Sequence, residues 1–141
     1  MAKLNVNGLS RPIRKVHGPR HFVDATNPDI AIDVAFQAMD TVDQHKQLER
    51  AEELIKLYKT EDENGEKLEF LVGTEIVDIP DTVWHSASMF EIMQVEMQGA
   101  DMYTADEYAR LCVAAPNIWM QLLSAANNII LGSGIKQTKN C

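Results

Sequence analysis

His17 and His21 stand four positions apart, a spacing that on a helix would turn two imidazoles toward one metal ion. Gly18 and Pro19 lie between them, so the pair reads as turn residues and not as zinc ligands. Cys112 could serve as a nucleophile only with a lowered pKa. Set between Leu111 and Val113 on the apolar side of a predicted helix, it is not expected in electropositive surroundings and reads as a packed thiol. The adjacent carboxylates Asp106 and Glu107 are accounted for by helix capping and the helix dipole, without acid/base chemistry. His85, next to Trp84, falls in the first turn of a predicted helix, where a histidine packs or faces solvent. The run Glu61-Asp62-Glu63-Asn64-Gly65-Glu66 is acidic enough for calcium but lacks the alternating Asp/Asn ligands and the twelfth-position Glu of a calcium loop. A Gly-rich phosphate loop, G-x-S-x-G and H-E-x-x-H are all absent. The expectation is a non-enzymatic protein with no cofactor and no metal.

The elements must then be read for what they would present to another molecule. At 141 residues and 15.8 kDa the chain has the size of one domain and can bury a core without disulfides or metals. Its 45% hydrophobic and 24% charged residues describe a globular protein. With only 6% aromatic residues, the core is expected to rest mainly on Met, Leu, Ile, Val and Ala. The longest apolar stretch, Ile118 to Leu131, is interrupted by Gln121, Ser124, Asn127 and Asn128, short of the roughly 18 residues a membrane span needs. No membrane partner is expected. Two cysteines, Cys112 and Cys141, and a start, Met1 to Leu9, without a signal-peptide core point to a reducing cytoplasm.

Charge is divided along the chain. Residues 1–20 carry Lys3, Arg11, Arg14, Lys15 and Arg20 and no acid, whereas all 21 acids fall between Asp24 and Glu107. Such an arm can fold onto its own body, reach the acidic body of a second copy, or bind phosphate. The acidic body would repel a nucleic-acid backbone across a Debye length of about 10 Å, so nucleic acid is disfavoured as a partner. Arg11, Arg14, Lys15 and Arg20 are therefore candidate contacts to another copy, and a homo-oligomer is expected.

Residues 1–25 form this arm, expected to be extended or a short β-hairpin. Residues 3–8 alternate apolar and polar types and end in Asn7-Gly8, a hairpin-turn pair, while Pro12, Gly18 and Pro19 disfavour a helix. A helical domain over 26–132 and a polar tail over 133–141 follow. Thr26-Asn27-Pro28-Asp29 reads as a helix start. Ile30, Val34, Ala38 and Val42, then Leu48, Ala51, Leu54, Ile55 and Tyr58, predict one helix of about thirty residues or two joined near Asp43 to Lys46. A small strand pair is possible near 67–79, around Gly73. Asp81 is expected to cap a helix ending at Gly99, with Met89, Met93 and Met97 in a column at spacing four. Such columns are usually core, yet Met is also favoured on adaptable binding surfaces, so these three join the candidate contacts. Thr104-Ala105-Asp106-Glu107 is a capping box opening a helix that turns Tyr108, Leu111, Cys112 and Ala115 inward. Pro116 closes it, and Asn117 is expected to cap a last helix with Trp119, Leu122, Leu123, Ala126 and Ile130 on one face, ended by Gly132. The fold class is mainly α, an α-rich α+β domain.

The stretch Asp101-Met102-Tyr103-Thr104-Ala105-Asp106-Glu107-Tyr108, followed by Ala114-Ala115-Pro116-Asn117-Ile118-Trp119 and by Leu122-Leu123 and Ala125-Ala126, resembles phage tail assembly chaperones. That family shows a capped "F/Y-T-x-x-D/E" helix start, a short break and a last amphipathic helix. The turn Asp62-Glu63-Asn64-Gly65 is similar to its "D-E-x-G" turn. The resemblance covers about a third of the chain and leaves out the basic arm. It implies a non-enzymatic chaperone in the host cytoplasm that self-associates and binds an elongated tape-measure protein. Two alternatives stay open: a small acidic inhibitor that mimics nucleic acid and binds a host protein, and a structural virion component such as a head-completion or decoration protein.

Overall fold

The computed structural model describes residues 5–132. A 3-10 turn, Val6–Gly8, leads into strands β1 (Val16–Val23) and β2 (Ala31–Gln37), then helix α1 (Thr41–Lys59). Short strands β3 (Leu71–Val72) and β4 (Glu75–Ile76) precede helices α2 (Asp81–Met93), α3 (Ala105–Ala114) and α4 (Pro116–Ile130). The class is helix-rich α+β. The strand pair expected near 67–79 is present as antiparallel β3 and β4, turning at Gly73 with φ of 62°. The polar tail, 133–141, lies outside the described residues.

Where one long helix, or two joined near Asp43 to Lys46, was expected from Thr26 onward, the chain folds as the second strand of a hairpin followed by a single shorter helix. Asn27, Pro28 and Asp29 make the turn: the Ile30 amide donates to the Asn27 carbonyl at 3.0 Å and the Asp29 amide to the Asn27 side chain at 3.3 Å. The spacing of four that joins Ile30 to Val34 is also two steps of a strand. Ile32, Val34 and Phe36 fill that strand register and are all buried, and β-branched and aromatic types favour the pleated conformation. The helix starts only at Asp40, whose side chain accepts from the Asp43 amide while the Asp43 side chain accepts from the Asp40 amide. At Asn7-Gly8, where a short hairpin or an extended arm was expected, the chain makes a 3-10 turn in which the Asn5 side chain accepts from the Asn7 amide, while Lys3 and Leu4 of that stretch lie outside the described residues. The hairpin instead pairs β1 with β2, antiparallel, with a bulge between His17 and Arg20. Gly18 sits in that bulge at φ of 117°, where a Cβ would stand 2.9 Å from the Arg20 amide nitrogen and 3.0 Å from the Val34 carbonyl oxygen.

The far edge of β2 is covered by the segment after α2. The Val95 amide donates to the Ala35 carbonyl at 2.8 Å and the Asp101 amide to the Asp33 carbonyl at 2.7 Å. That segment fixes where α2 stops: the helix ends at Met93, not at Gly99, because Gln94 turns to an extended conformation to bridge Phe36. Asp81 occupies the first turn of α2 and Pro80 the cap position. In α4 the corresponding positions are Pro116 and Ala115; Asn117, expected as the cap, accepts instead from the Ala25 amide and from Gln121. The box of Thr104 and Glu107 at the start of α3 is present as expected.

The core lies between the hairpin and the four helices, and its centre is aromatic despite the low aromatic content. Every aromatic residue is buried in it or packs against it. Phe90 touches Phe36, Tyr108 and Trp119, with the nearest ring centroid at 5.0 Å. Trp84 stacks on Tyr58 and meets Phe70 edge-on. Each large ring removes more apolar area from water than an aliphatic side chain, so few are needed.

Candidate functional site

The arm is fixed at one place by two of its arginines. The Arg11 Nη2 group donates to Asp43 Oδ1 at 2.9 Å and its Nε group to Asp40. Arg14 donates to the Ala38 carbonyl at 2.7 Å and to Asp43. These are the same carboxylates that cap α1, so the arginines lock the arm across the start of that helix. The Arg11 hydrogen bond holds the Asp40 carboxyl well below the usual carboxylate range, aided by the Asp43 amide. At Asp43, burial pushes the pKa up, but hydrogen bonds from Arg14, Arg11 and the Asp40 amide outweigh it and the pKa is lowered.

Arg11 and Arg14 therefore turn to their own body, whereas the sequence had offered them as contacts to another copy. Lys15 is exposed, and no carboxylate pairs with it among the described residues. Arg20 lies with its guanidinium 5.0 Å above the Phe22 ring, on the wall of a cavity of about 290 Å³ between the hairpin and α4. The four basic residues are thus divided between a lock, an open position and a cavity wall.

The methionine column does not form. Met93 is buried (1%), Met89 is half-buried against the core, and Met97, beyond the end of α2, is 37% exposed. The column needed α2 to continue through Met97, and the bridge of Gln94 to β2 prevents it.

Two polar clusters that sequence reasoning missed tie the helices together. Arg50 of α1 donates to Glu91 of α2 at 2.9 Å and to Glu53 at 2.8 Å, and lies 3.8 Å from Asp106 of α3. The second carboxylate oxygen of Glu91 accepts from the Ala105 amide at 2.6 Å. Tyr58 donates to Asp106 at 2.5 Å, and its pKa is pushed up to about 12 by burial and by that carboxylate. Gln94 donates to the Tyr103 carbonyl at 2.6 Å and accepts from the Tyr103 amide at 3.0 Å and from the Tyr108 hydroxyl at 2.7 Å. Arg50 and Glu91 are 41 positions apart, and no local pattern links them.

The residues first weighed for chemistry are spread out. His17 and His21 lie on β1, and His21 Nδ1 is 2.8 Å from Asp33 Oδ1 across the hairpin. Burial pushes the Cys112 thiol up, away from thiolate character. Among the described residues no three His, Cys, Asp or Glu side chains are grouped to hold a metal ion, and no helix is long and apolar enough to cross a membrane.

A second concave surface, with apolar walls, lies at the other end of α1. A groove of about 440 Å³ runs between the last turns of that helix and the 61–68 loop, with Leu57 and Leu68 in its walls. It is a fixed feature: the Leu68 amide donates to the Leu57 carbonyl at 3.3 Å, and the Asp62 side chain accepts from the amides of Asn64 and Glu66. Compared with known proteins, the chain matches no family model, no curated protein and no solved structure.

Proposed function

We propose that this protein is a non-enzymatic macromolecule-binding protein, acting as a phage tail assembly chaperone or adaptor that self-associates and binds an elongated partner in the host cytoplasm. The observation that carries this reading is the distribution of large apolar side chains that remain outside. Val6, Leu9 and Ile13 are exposed on the arm, and Leu57 and Leu68 are exposed at the groove. Such side chains in company with a shaped groove suit contact with other protein surfaces. The part-buried polar side chains of Arg50 and Gln94 are meanwhile engaged in tying the helices and the segment before α3 together. The layout behind the resemblance also supports it: a capped α3, a break at Pro116 and an amphipathic α4 follow one another.

Co-expression with the tape-measure protein of the same phage genome tests the reading. The tape-measure protein should become soluble and copurify with this chain. A tape-measure protein that aggregates as much with the chain as without it would overturn the chaperone reading, and displacement of DNA from a basic host protein by the chain would favour the acidic inhibitor.

A further inference from the structure

The locked arm and the groove sit at opposite ends of one helix. Ile13 lies between the two arginines that bind Asp40 and Asp43, and Lys15 lies between Arg14 and the first residue of β1. Both are therefore held at the N-terminal end of α1. The Leu57 side of the groove is fourteen residues further along the helix, or about 20 Å at 1.5 Å per residue. Ile13 cannot enter its own groove while the lock holds. Its side chain is nonetheless fully exposed (103%), and among the described residues no apolar surface covers it.

The groove has the complementary character. Leu57 is 44% and Leu68 52% exposed, and the rim carries Glu53, Glu61, Asp62 and Glu66. Lys56 and Lys67 offset only part of that charge, so the rim is negative. An apolar side chain followed two positions later by an ammonium matches an apolar trough with an acidic rim.

We propose that the groove between the end of α1 and the 61–68 loop receives the Ile13–Lys15 segment of a second copy, Ile13 entering between Leu57 and Leu68 and Lys15 meeting the acidic rim. This rests on the self-association included in the proposed function and adds its contact. The two surfaces differ, so the contact is heterologous: each copy offers an arm at one end and a groove at the other, and copies add head to tail. The lock supports this by presenting Ile13 in a fixed place, which lowers the ordering cost of binding.

Mixing two defective variants tests the contact. Ile13→Asp removes the arm's anchor and leaves the groove intact; Leu57→Asp does the reverse, with Leu68→Asp as its substitute if circular dichroism shows that Leu57→Asp is unfolded. Each variant alone should associate at least about tenfold more weakly than the parent, the scale of burying one large aliphatic side chain. Mixed together, they should form one-to-one dimers and nothing larger, because one good arm meets one good groove and both outer ends are blocked. Sedimentation velocity distinguishes the outcomes. A parent that assembles while Ile13→Asp assembles equally well overturns this contact and leaves self-association standing, as does a mixture that stays monomeric. A parent that is monomeric at every concentration overturns both.

Discussion

Arg14 and Lys15 are neighbours with the same charge and opposite situations. The Arg14 side chain is mostly covered, and its guanidinium satisfies both the Ala38 carbonyl and the Asp43 carboxylate. Removing it leaves a carboxylate and a carbonyl short of a donor where water reaches them poorly, and hydrogen bonds to charged groups are the costly ones to lose. Lys15 is exposed and has no carboxylate partner among the described residues. Arg14→Ala should therefore lower stability by about 2 kcal/mol in urea unfolding, while Lys15→Ala should change it by less than about 0.5 kcal/mol. Equal effects of the two would mean that the lock does not hold in solution. Nothing in the sequence separated these two residues: both belong to a run of bases in an acid-free arm, and the acids that distinguish them lie more than twenty positions away.

At the scale of elements, what was legible depended on whether the determining interaction is local. The Thr104 and Glu107 box closes within four residues, and the start of α3 was read correctly from those residues alone. The β3 and β4 pair turns at Gly73 and was also visible in the local pattern. The β2 strand was not, because the spacing of Ile30, Val34 and Ala38 satisfies two periodicities, and the pairing with β1 that decides between them is a tertiary event. The end of α2 was missed for the same reason: Gln94 leaves the helix to join β2, 58 positions earlier at Phe36. The candidate groove was unreadable from sequence, since it depends on how the 61–68 loop returns to α1.

The start of α1 also gives a pH dependence. The Asp40 and Asp43 carboxyls are held below their ordinary range in the folded protein. Groups with lowered folded pKa contribute stability above the unfolded value, about 3.9 for Asp, and that contribution is lost as pH falls through the folded pKa. Asp40→Asn retains a capping oxygen but not the charge that draws Arg11. The difference in urea midpoint between parent and Asp40→Asn should be constant above about pH 5 and shrink as the pH falls below about 4. A difference that persists unchanged into strong acid would show that the charge contributes nothing at this site.

For the whole molecule, the decisive feature is a division of labour along α1, with the basic arm locked at its start and an apolar, acid-rimmed groove at its end. A heterologous contact between such ends closes into a ring or continues as an open array, and either form presents repeated surfaces to an elongated partner. The net charge of −8 sets a limit on this assembly. Copies repel one another as whole bodies while the arm and the groove rim attract, so salt acts on both, and loss of the short-range attraction at the contact should prevail because the rim is close to the arm. Self-association is the claim on which the chaperone reading and the proposed contact both depend. Molar mass by light scattering during size exclusion tests it most directly, at low salt and at about 0.5 M salt, where the Debye length falls below about 5 Å. A mass that is a multiple of 15.8 kDa at low salt and decreases at high salt is the predicted result. A mass of 15.8 kDa under both conditions would contradict it.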